Sequence, residues 1–113
     1  MVLTFKAKTT DGYIIKILAE LLQHCLKSGC FELDKDGMKL STVDHAQRLL
    51  IDLHLKNDSF LEYRCCKKQL IGVNVVHLYR MLKSIKKKDS VTLFIDKEKE
   101  DYLGVTVEHT ENK

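Results

Sequence analysis

Three short pairings of acidic, histidine and cysteine side chains have residue types that acid–base or nucleophilic chemistry uses. They are Asp44 with His45, Asp52 with His54, and His24 with Cys25. Consecutive residues on a strand project to opposite faces, so Asp44 and His45 make a poor dyad. Asp52 and His54 would share a face, but no obvious nucleophile accompanies them. The sequence therefore predicts no enzyme, and catalysis is a third hypothesis that requires turnover abolished by Asp52→Ala or His54→Ala.

The cysteines and histidines do not form the pattern of a metal site. Cys25 and Cys30 are five positions apart, whereas zinc knuckles space paired ligands by about two to four residues. Cys65 and Cys66 are adjacent, so on a strand their thiols would face opposite sides. The five histidines show no compact spacing, and no glycine-rich phosphate loop is present. The sequence therefore predicts free thiols that pack as small hydrophobic groups, with no metal and no cofactor.

Length and composition indicate an ordinary globular domain or part of a larger one. The chain has 113 residues, of which 44% are hydrophobic and 31% charged, and a formal net charge of +3. That net charge alone does not select a partner. No apolar run approaches the ~20 residues of a membrane span, and the N-terminal MVLTFKAK lacks the apolar region of a secretory signal. We therefore expect a protein with no membrane partner that stays inside the cell, where thiols remain reduced.

The first half of the sequence is typical of a strand, a helix, a hairpin and a further strand. Val2–Lys8 alternates apolar and polar residues, as half-buried strands do. A cap at Thr10–Gly12 precedes a helix that Gly29 would end. Asp34–Gly37 predicts a hairpin turn, and Arg48–Leu55 predicts a strand. The apolar face predicted for the helix consists of Ile14, Leu18, Leu21, Leu22, Cys25 and Leu26.

The second half repeats this order. Phe60–Cys65 predicts a strand, and Gln69–Asn74 leads into a second helix that begins near Asn74. Ser90–Asp96 and residues 102–109 predict two strands joined by a turn at Lys97–Asp101. The apolar face of the second helix is predicted to be Val75, Leu78, Leu82 and Ile85. The fold class is therefore α+β, with two βαβββ-like units, two helices on one face of antiparallel sheet, and the last strand of the second unit absent.

The outward face of the second helix carries positive charge without a compensating carboxylate. No Asp or Glu occurs between Val73 and Lys88, whereas a merely solvated helix usually mixes charges of both signs. The cations that line up along the helix are His77, Arg80, Lys83 and Lys87. Some of this charge suits the helix dipole, which favours cations at a C-terminus. The residues alone leave two interpretations open: a solvated basic helix end, or a surface that binds phosphates without reading bases.

Two longer motifs carry a resemblance to a known family. Gly37–Gln47 reads GMKLSTVDHAQ and Tyr63–Asn74 reads YRCCKKQLIGVN. They follow the patterns G-V-x-L-x-x-M-D-x-x-H and Y-R-C-D-x-x-x-x-x-G-V-N in residue type and spacing. From Leu3 to about Glu108 the chain resembles the first domain of the eukaryotic and archaeal sliding clamp family, proliferating cell nuclear antigen. The resemblance implies a ring of βαβββ units whose helices line a central hole that duplex DNA passes through.

The resemblance also implies which residues face that DNA. Lys16, Arg80 and Lys83 match family positions that face the duplex, and Lys67 matches a further basic position near it. The contact implied is to the backbone and independent of sequence. Gln23 stands where the family commonly has a basic residue, and residues 86–88, all lysine, replace a loop that is usually neutral to acidic. The positive charge is therefore expected to be shifted along the surface.

A partner pocket is implied in the same way. The family recruits DNA polymerases, clamp loaders, nucleases and ligases through short peptides that end in an apolar and aromatic plug. Val43, Gln47 and Leu50 match positions that help to form the pocket. The family usually has Met where Val43 lies and His where Gln47 lies, so a shallower pocket and an altered choice of partner are expected. A packing role for Val43 and Leu50 in the core is the alternative.

The extent of the resemblance defines the expected organisation. Residues 1–113 are expected to be a single N-terminal clamp domain, a fragment without the connector and second domain of a full subunit. The full-length parent is implied to be a nuclear homotrimer that serves DNA replication and DNA repair. The alternative is a checkpoint-type or viral clamp relative that acts mainly as a protein-docking scaffold. The parent's mass would separate a two-domain clamp from a shorter protein.

Overall fold

The computed structural model describes residues 2–43, 48 and 50–108, and these residues form eight strands and two α-helices. The strands are β1 (Leu3–Thr9), β2 (Ser28–Asp34), β3 (Gly37–Val43), β4 (Leu50–Lys56), β5 (Glu62–Cys65), β6 (Gln69–Asn74), β7 (Ser90–Asp96) and β8 (Gly104–Glu108). The helices are α1 (Gly12–Cys25) and α2 (Val75–Leu82). Neither helix is long or apolar enough to cross a bilayer. The predicted α+β class is confirmed.

The described strands are divided between two antiparallel sheets. One has the order β5-β1-β7-β8 and the other β4-β3-β2-β6. Gln69–Asn74, predicted only as the approach to the second helix, is itself a strand that pairs with β2. One buried apolar cluster takes side chains from both sheets and both helices, including Phe5, Leu40 and Leu82. The sheets therefore share a core with the helix pair, which fixes where the helices sit.

The buried face of α1 differs from the predicted one. Ile14 is 47% exposed and Leu21 is 60% exposed, although both were predicted to be buried. The residues that face the core are Gly12, Ile15, Ala19, Leu22 and, just beyond the helix, Leu26. Because α1 is apolar around most of its circumference, periodicity does not determine which side is buried. The face with the small residues Gly12 and Ala19 is buried because it permits the closest approach.

Gly12 makes a close contact that requires glycine. A Cβ atom at this position would lie 2.6 Å from Val91 Cγ2 and 2.8 Å from the Asp89 carbonyl oxygen. Real Cβ atoms do not approach other atoms this closely, so any larger residue would push α1 away from β7. Gly12 therefore determines both the position of α1 and the side of it that is buried.

The predicted end of α1 at Gly29 is wrong. The helix ends at Cys25, Leu26 is already extended, and the Leu26 N–H donates to the Leu22 carbonyl oxygen at 2.8 Å. Gly29 lies in β2, where it pairs with Val73 of β6. A glycine after an apolar run commonly ends a helix. Here the helix ends before Gly29, because the chain from Ser28 onward is extended and pairs with β6.

The second helix agrees with its prediction. The Asn74 side chain accepts a hydrogen bond from the His77 N–H at 3.0 Å, which caps the N-terminus. Val75 and Leu82 are fully buried, and Ile85 is 4% exposed. The opposite face therefore turns outward, and Arg80 lies on it.

The predicted hairpin turn at Asp34–Gly37 is confirmed. One Asp34 carboxylate oxygen accepts hydrogen bonds from the N–H groups of Asp36 (2.9 Å) and Gly37 (3.2 Å). The bond from Asp36, with help from the charge of Lys39, holds the pKa of the Asp34 carboxyl below its usual value. Gly37 has a φ of +146°, a conformation that residues with a side chain rarely adopt.

Candidate nucleic-acid interface

The two helices lie side by side and run in opposite directions. They contact each other directly. At one end the Val75 N–H, at the start of α2, donates to the carbonyl oxygen of Lys27 just after α1 (2.9 Å). At the other end the Gly12 N–H, at the start of α1, donates to the carbonyl oxygen of Asp89 beyond α2 (3.1 Å). The start of α1 and the region after α2 therefore lie together.

This arrangement brings together three of the cations predicted to face DNA. Lys16 is about one helical turn from Gly12, at the beginning of α1. Arg80 is in the last turn of α2, and Lys83 is its C-cap residue. Because the helices are antiparallel, Lys16, Arg80 and Lys83 all belong to the same end of the helix pair. The sequence did not indicate this, since it does not contain the direction in which helices pack.

The cations at the end of α2 differ in their surroundings from five lysines that form salt bridges elsewhere in the protein. Arg80 and Lys83 are exposed, and among the described residues no carboxylate lies within salt-bridge distance of either. By contrast, five lysines of the sheets and of the β5–β6 connection pair with Asp or Glu at 3.0–4.0 Å: Lys6, Lys8, Lys39, Lys67 and Lys68. The charges on α2 are therefore available to an external anion.

Lys16 has an aromatic neighbour instead of a carboxylate. Its Nζ lies 4.8 Å from the centroid of the Tyr13 ring, one turn earlier on α1. A cation over an aromatic face is attracted by the ring quadrupole and keeps its positive charge. The contact restricts the lysine side chain and leaves its ammonium group able to bind a further anion.

Lys67 is in a different environment from the three helix cations. It lies between β5 and β6, and its Nζ is 3.0 Å and 3.3 Å from the two carboxylate oxygens of Glu100. Glu100 lies in the connection between β7 and β8. The sequence did not indicate this pair, because its partners are 33 positions apart. The carboxylate offsets the charge of Lys67, so a contribution to phosphate binding requires that this ion pair opens.

Two residues of the predicted peptide pocket lie next to each other at the surface. Val43 and Leu50 are directly opposite in the pairing of β3 with β4. They are 46% and 70% exposed, so the alternative that they belong to the core is wrong. Gln47 lies outside the described residues. Val43 and Leu50 together form an exposed apolar pair at the end of the β3–β4 hairpin.

The candidate catalytic residues do not form a site. Asp52 and His54 lie on the exposed face of β4, and the strand register places Ser41 opposite Asp52. Among the described residues, no hydrogen bond joins Ser41, Asp52 and His54, and all three are exposed. Asp44 and His45 lie outside the described residues. The face of β4 is an open sheet surface without the enclosure that a catalytic centre needs.

The prediction for the cysteines is confirmed for their free thiols and wrong for their packing, because Cys30 and Cys66 are exposed and Cys25 and Cys65 are only half-buried. All four are free thiols. Burial raises the pKa of the Cys65 thiol, and the charge of Asp34 acts in the same direction. The Cys65 thiol donates to the Lys67 carbonyl oxygen at 3.0 Å. A half-buried thiol with a raised pKa is a poor nucleophile. Within residues 2–43, 48 and 50–108, no three His, Cys, Asp or Glu side chains gather as metal ligands.

A family profile and two relatives show what this sequence is similar to. The family profile "Proliferating cell nuclear antigen, N-terminal domain" matches residues 4–113. The chain is 32% identical over 93 residues to the DNA polymerase sliding clamp of Pyrococcus furiosus, which covers 82% of this chain and 36% of that protein. It is 29% identical over 107 residues to the probable DNA polymerase sliding clamp 1 of Paramecium bursaria Chlorella virus 1, which covers 95% of this chain and 41% of the relative.

The fold is also that of a solved structure. PCNA from Thermococcus kodakaraensis superposes with a TM-score of 0.88 at 21% identity, covering 97% of this chain and 44% of that one. This likeness shows a shared fold. The chain spans 36% and 41% of the lengths of the two relatives named above. The profile match over residues 4–113 shows that the chain belongs to the proliferating cell nuclear antigen family and corresponds to its N-terminal domain.

Proposed function

We propose that this chain is the N-terminal domain of a DNA sliding clamp, a processivity factor that encircles duplex DNA and performs no catalysis. The observation that carries the proposal is the set of cations at one end of the antiparallel helix pair: Arg80 and Lys83, which are exposed, and Lys16, which is half-buried. Among the described residues none of them has a carboxylate partner, whereas sheet lysines such as Lys6 and Lys8 do. Family membership supports the same function.

The chemistry of these cations suits a clamp that slides. Lysine and arginine bind phosphate oxygens by charge, so they carry no sequence information. Each phosphate contact releases counterions, and binding weakens steeply as salt rises. An ammonium group on a flexible side chain exchanges one phosphate for the next with a small barrier. A surface of this kind holds a duplex laterally and allows it to move along its axis.

The partners and assembly follow as part of the same proposal. In the whole protein, this domain and a second domain assemble into a homotrimeric ring in the nucleus, where it serves replication and repair. Val43, Gln47 and Leu50 contribute to the surface that docks DNA polymerase, clamp loader, nuclease and ligase through short peptides. The exposed pair Val43 and Leu50 supports this. A peptide that docks through apolar side chains needs solvent-exposed apolar side chains on the surface that it binds.

Topological retention tests the proposal. The full-length protein, loaded by its clamp loader, is expected to co-elute with nicked circular DNA and to be lost when the circle is linearised. A linear duplex with both ends blocked by bulky protein is the control, and it should retain the ring. Polymerase run length on primed DNA should increase several-fold. A protein that stays on open linear DNA as well as on circles, or leaves run length unchanged, would contradict the proposal.

A second candidate is a clamp relative that acts mainly as a docking scaffold. The exposure of Val43 and Leu50 favours it, since this apolar pair is suited to peptide binding whether or not DNA is present. Under this alternative, Gln47→Ala is expected to weaken capture by immobilised partner peptides several-fold while polymerase run length stays at its clamp-free value. A run length that rises with the native protein would contradict the alternative.

A further inference from the structure

Three consecutive lysines lie on a rigid turn directly after α2. We call residues Lys86–Asp89 the lysine turn. Lys86, Lys87 and Lys88 are exposed, whereas Asp89 is 2% exposed. The Asp89 carboxylate accepts a hydrogen bond from the Lys86 N–H at 3.0 Å, and the Asp89 N–H donates to the Lys86 carbonyl oxygen at 3.1 Å. These two hydrogen bonds close the turn, and its three lysine side chains are on the outside.

The lysine turn is attached to the start of α1. The Gly12 N–H donates to the Asp89 carbonyl oxygen at 3.1 Å. The missing side chain of Gly12 makes this contact possible, because a Cβ there would lie 2.8 Å from the same oxygen. The three lysines are thus held at the end of the helix pair that carries Lys16, Arg80 and Lys83, and they are not on a free loop.

Two helix ends act on the lysine turn in opposite directions: the C-terminus of α2 favours cations, whereas the N-terminus of α1 disfavours them. The N-terminus of a helix carries a partial positive charge, and α1 has no acidic residue in its first turn. Like charges on neighbouring residues also repel. The five salt bridges found between described residues do not involve Lys86, Lys87 or Lys88. An external anion would remove this repulsion.

We propose that the lysine turn is an additional phosphate-binding surface, which extends the cations of the helix pair along the backbone of bound duplex DNA. The inference rests on the proposed function, because it assigns further contacts to the same ligand. DNA fits better than an acidic peptide. The residues beside the lysines, Ile85 and Asp89, are buried, so the turn offers charge alone and no apolar anchor for a peptide side chain.

The salt dependence of duplex binding tests the inference. We would measure the affinity for a fluorescent 30-base-pair duplex by anisotropy, from low to physiological salt, and plot log K against log salt concentration. The variant Lys86→Gln/Lys87→Gln/Lys88→Gln lowers the formal net charge from +3 to 0. Each lysine that binds a phosphate should reduce the slope by about 0.9, so the slope is expected to fall by about 2 to 3.

A matched variant controls for the change in net charge. Lys35→Gln/Lys56→Gln/Lys97→Gln also removes three exposed lysines. Lys35 and Lys97 lie at the far ends of β2 and β7, about 20 Å along the strands from the ends that meet the helices. This control is expected to keep the native slope. Circular dichroism would verify that both variants are folded.

The outcomes separate the inference from the proposed function. If Arg80→Gln/Lys83→Gln lowers the slope and the lysine-turn variant does not, the inference is overturned and the clamp proposal stands. If the native chain binds the duplex without salt dependence, both are overturned. If the lysine-turn variant keeps the DNA slope but no longer binds poly-glutamate, the turn is a site for acidic proteins, and the inference is again overturned. The inference is supported if the salt slope falls in the lysine-turn variant and keeps its native value in the Lys35→Gln/Lys56→Gln/Lys97→Gln control.

Discussion

Replacing Arg80 and Lys83 by glutamate is expected to lower the affinity for duplex DNA by at least about 100-fold at 50 mM salt. Each phosphate contact contributes about 0.9 to the salt slope, which corresponds to about ten-fold in affinity at this salt concentration. The substitution removes two contacts and places two carboxylates where phosphates would bind, so repulsion adds to the loss. Anisotropy titrations at several salt concentrations, and retention on circular DNA, are the measurements.

The control for this prediction is a charge reversal elsewhere on the surface. Lys35→Glu/Lys56→Glu changes the net charge by the same amount on exposed residues of the β2–β3 turn and the end of β4. It is expected to reduce affinity by only a few-fold through the long-range field. An equal loss of affinity in the two variants would mean that DNA binding depends on the total charge of the protein and not on the cations of the helix pair. Arg80 and Lys83 are exposed, so both variants should fold.

Gly37→Ala is expected to be the most destabilising single-methyl change in the chain, at about 2–4 kcal/mol in the free energy of unfolding. The φ of +146° strains any residue with a side chain. A Cβ here would also lie 2.2 Å from the Leu55 carbonyl oxygen and 3.0 Å from the Lys56 Cα. These are backbone atoms of β4, so β3 and β4 must separate locally. Thermal unfolding should show a decrease of roughly 10–20 °C in Tm.

Gly72→Ala is the matched control for Gly37→Ala. Gly72 is exposed in β6, and no atom lies within 4 Å of the position that a Cβ would occupy. Alanine is conformationally less free than glycine in the unfolded chain, so this change should be neutral or stabilising by up to about 1 kcal/mol. A loss of stability at Gly72 as large as that at Gly37 would contradict the steric explanation.

The features that the sequence predicted correctly are those that depend on local chemistry. The hairpin at Asp34–Gly37 follows from a carboxylate that accepts neighbouring N–H groups and from a glycine that adopts a positive φ. The start of α2 follows from the Asn74 cap. In each of these cases the decisive contacts lie within four residues, so a short motif contains the required information.

The features that the sequence did not predict depend on contacts between distant segments. The buried side of α1 is determined by Gly12 against Val91 of β7. The ion pair between Lys67 and Glu100 joins two separate connections between strands. An apolar pattern does not record which strand or loop will lie opposite, because many pairings bury similar areas. The same reason explains why the division of the strands between two sheets was not foreseen.

The cationic end of the helix pair was predicted only in part. The charges on α2 were evident from Arg80 and Lys83 and the absence of acidic residues. Their proximity to Lys16 depends on the antiparallel packing of the helices, which becomes apparent only from the bonds at Gly12 and Val75. The resemblance to a clamp predicts that Lys16, Arg80 and Lys83 face DNA, and the antiparallel packing of the helices places these three residues at one end of the helix pair.

The two bonds that join the ends of the helices are made by main-chain atoms, Val75 N–H to Lys27 and Gly12 N–H to Asp89. At position 75 any residue type except proline could supply this donor, whereas at position 12 the close approach to Val91 and Asp89 requires glycine. Mutation can therefore exchange the outward side chains of α1 and α2 while the spacing between the helices is retained. The positions of the exposed lysines can therefore change in evolution while the packing of the two helices is kept.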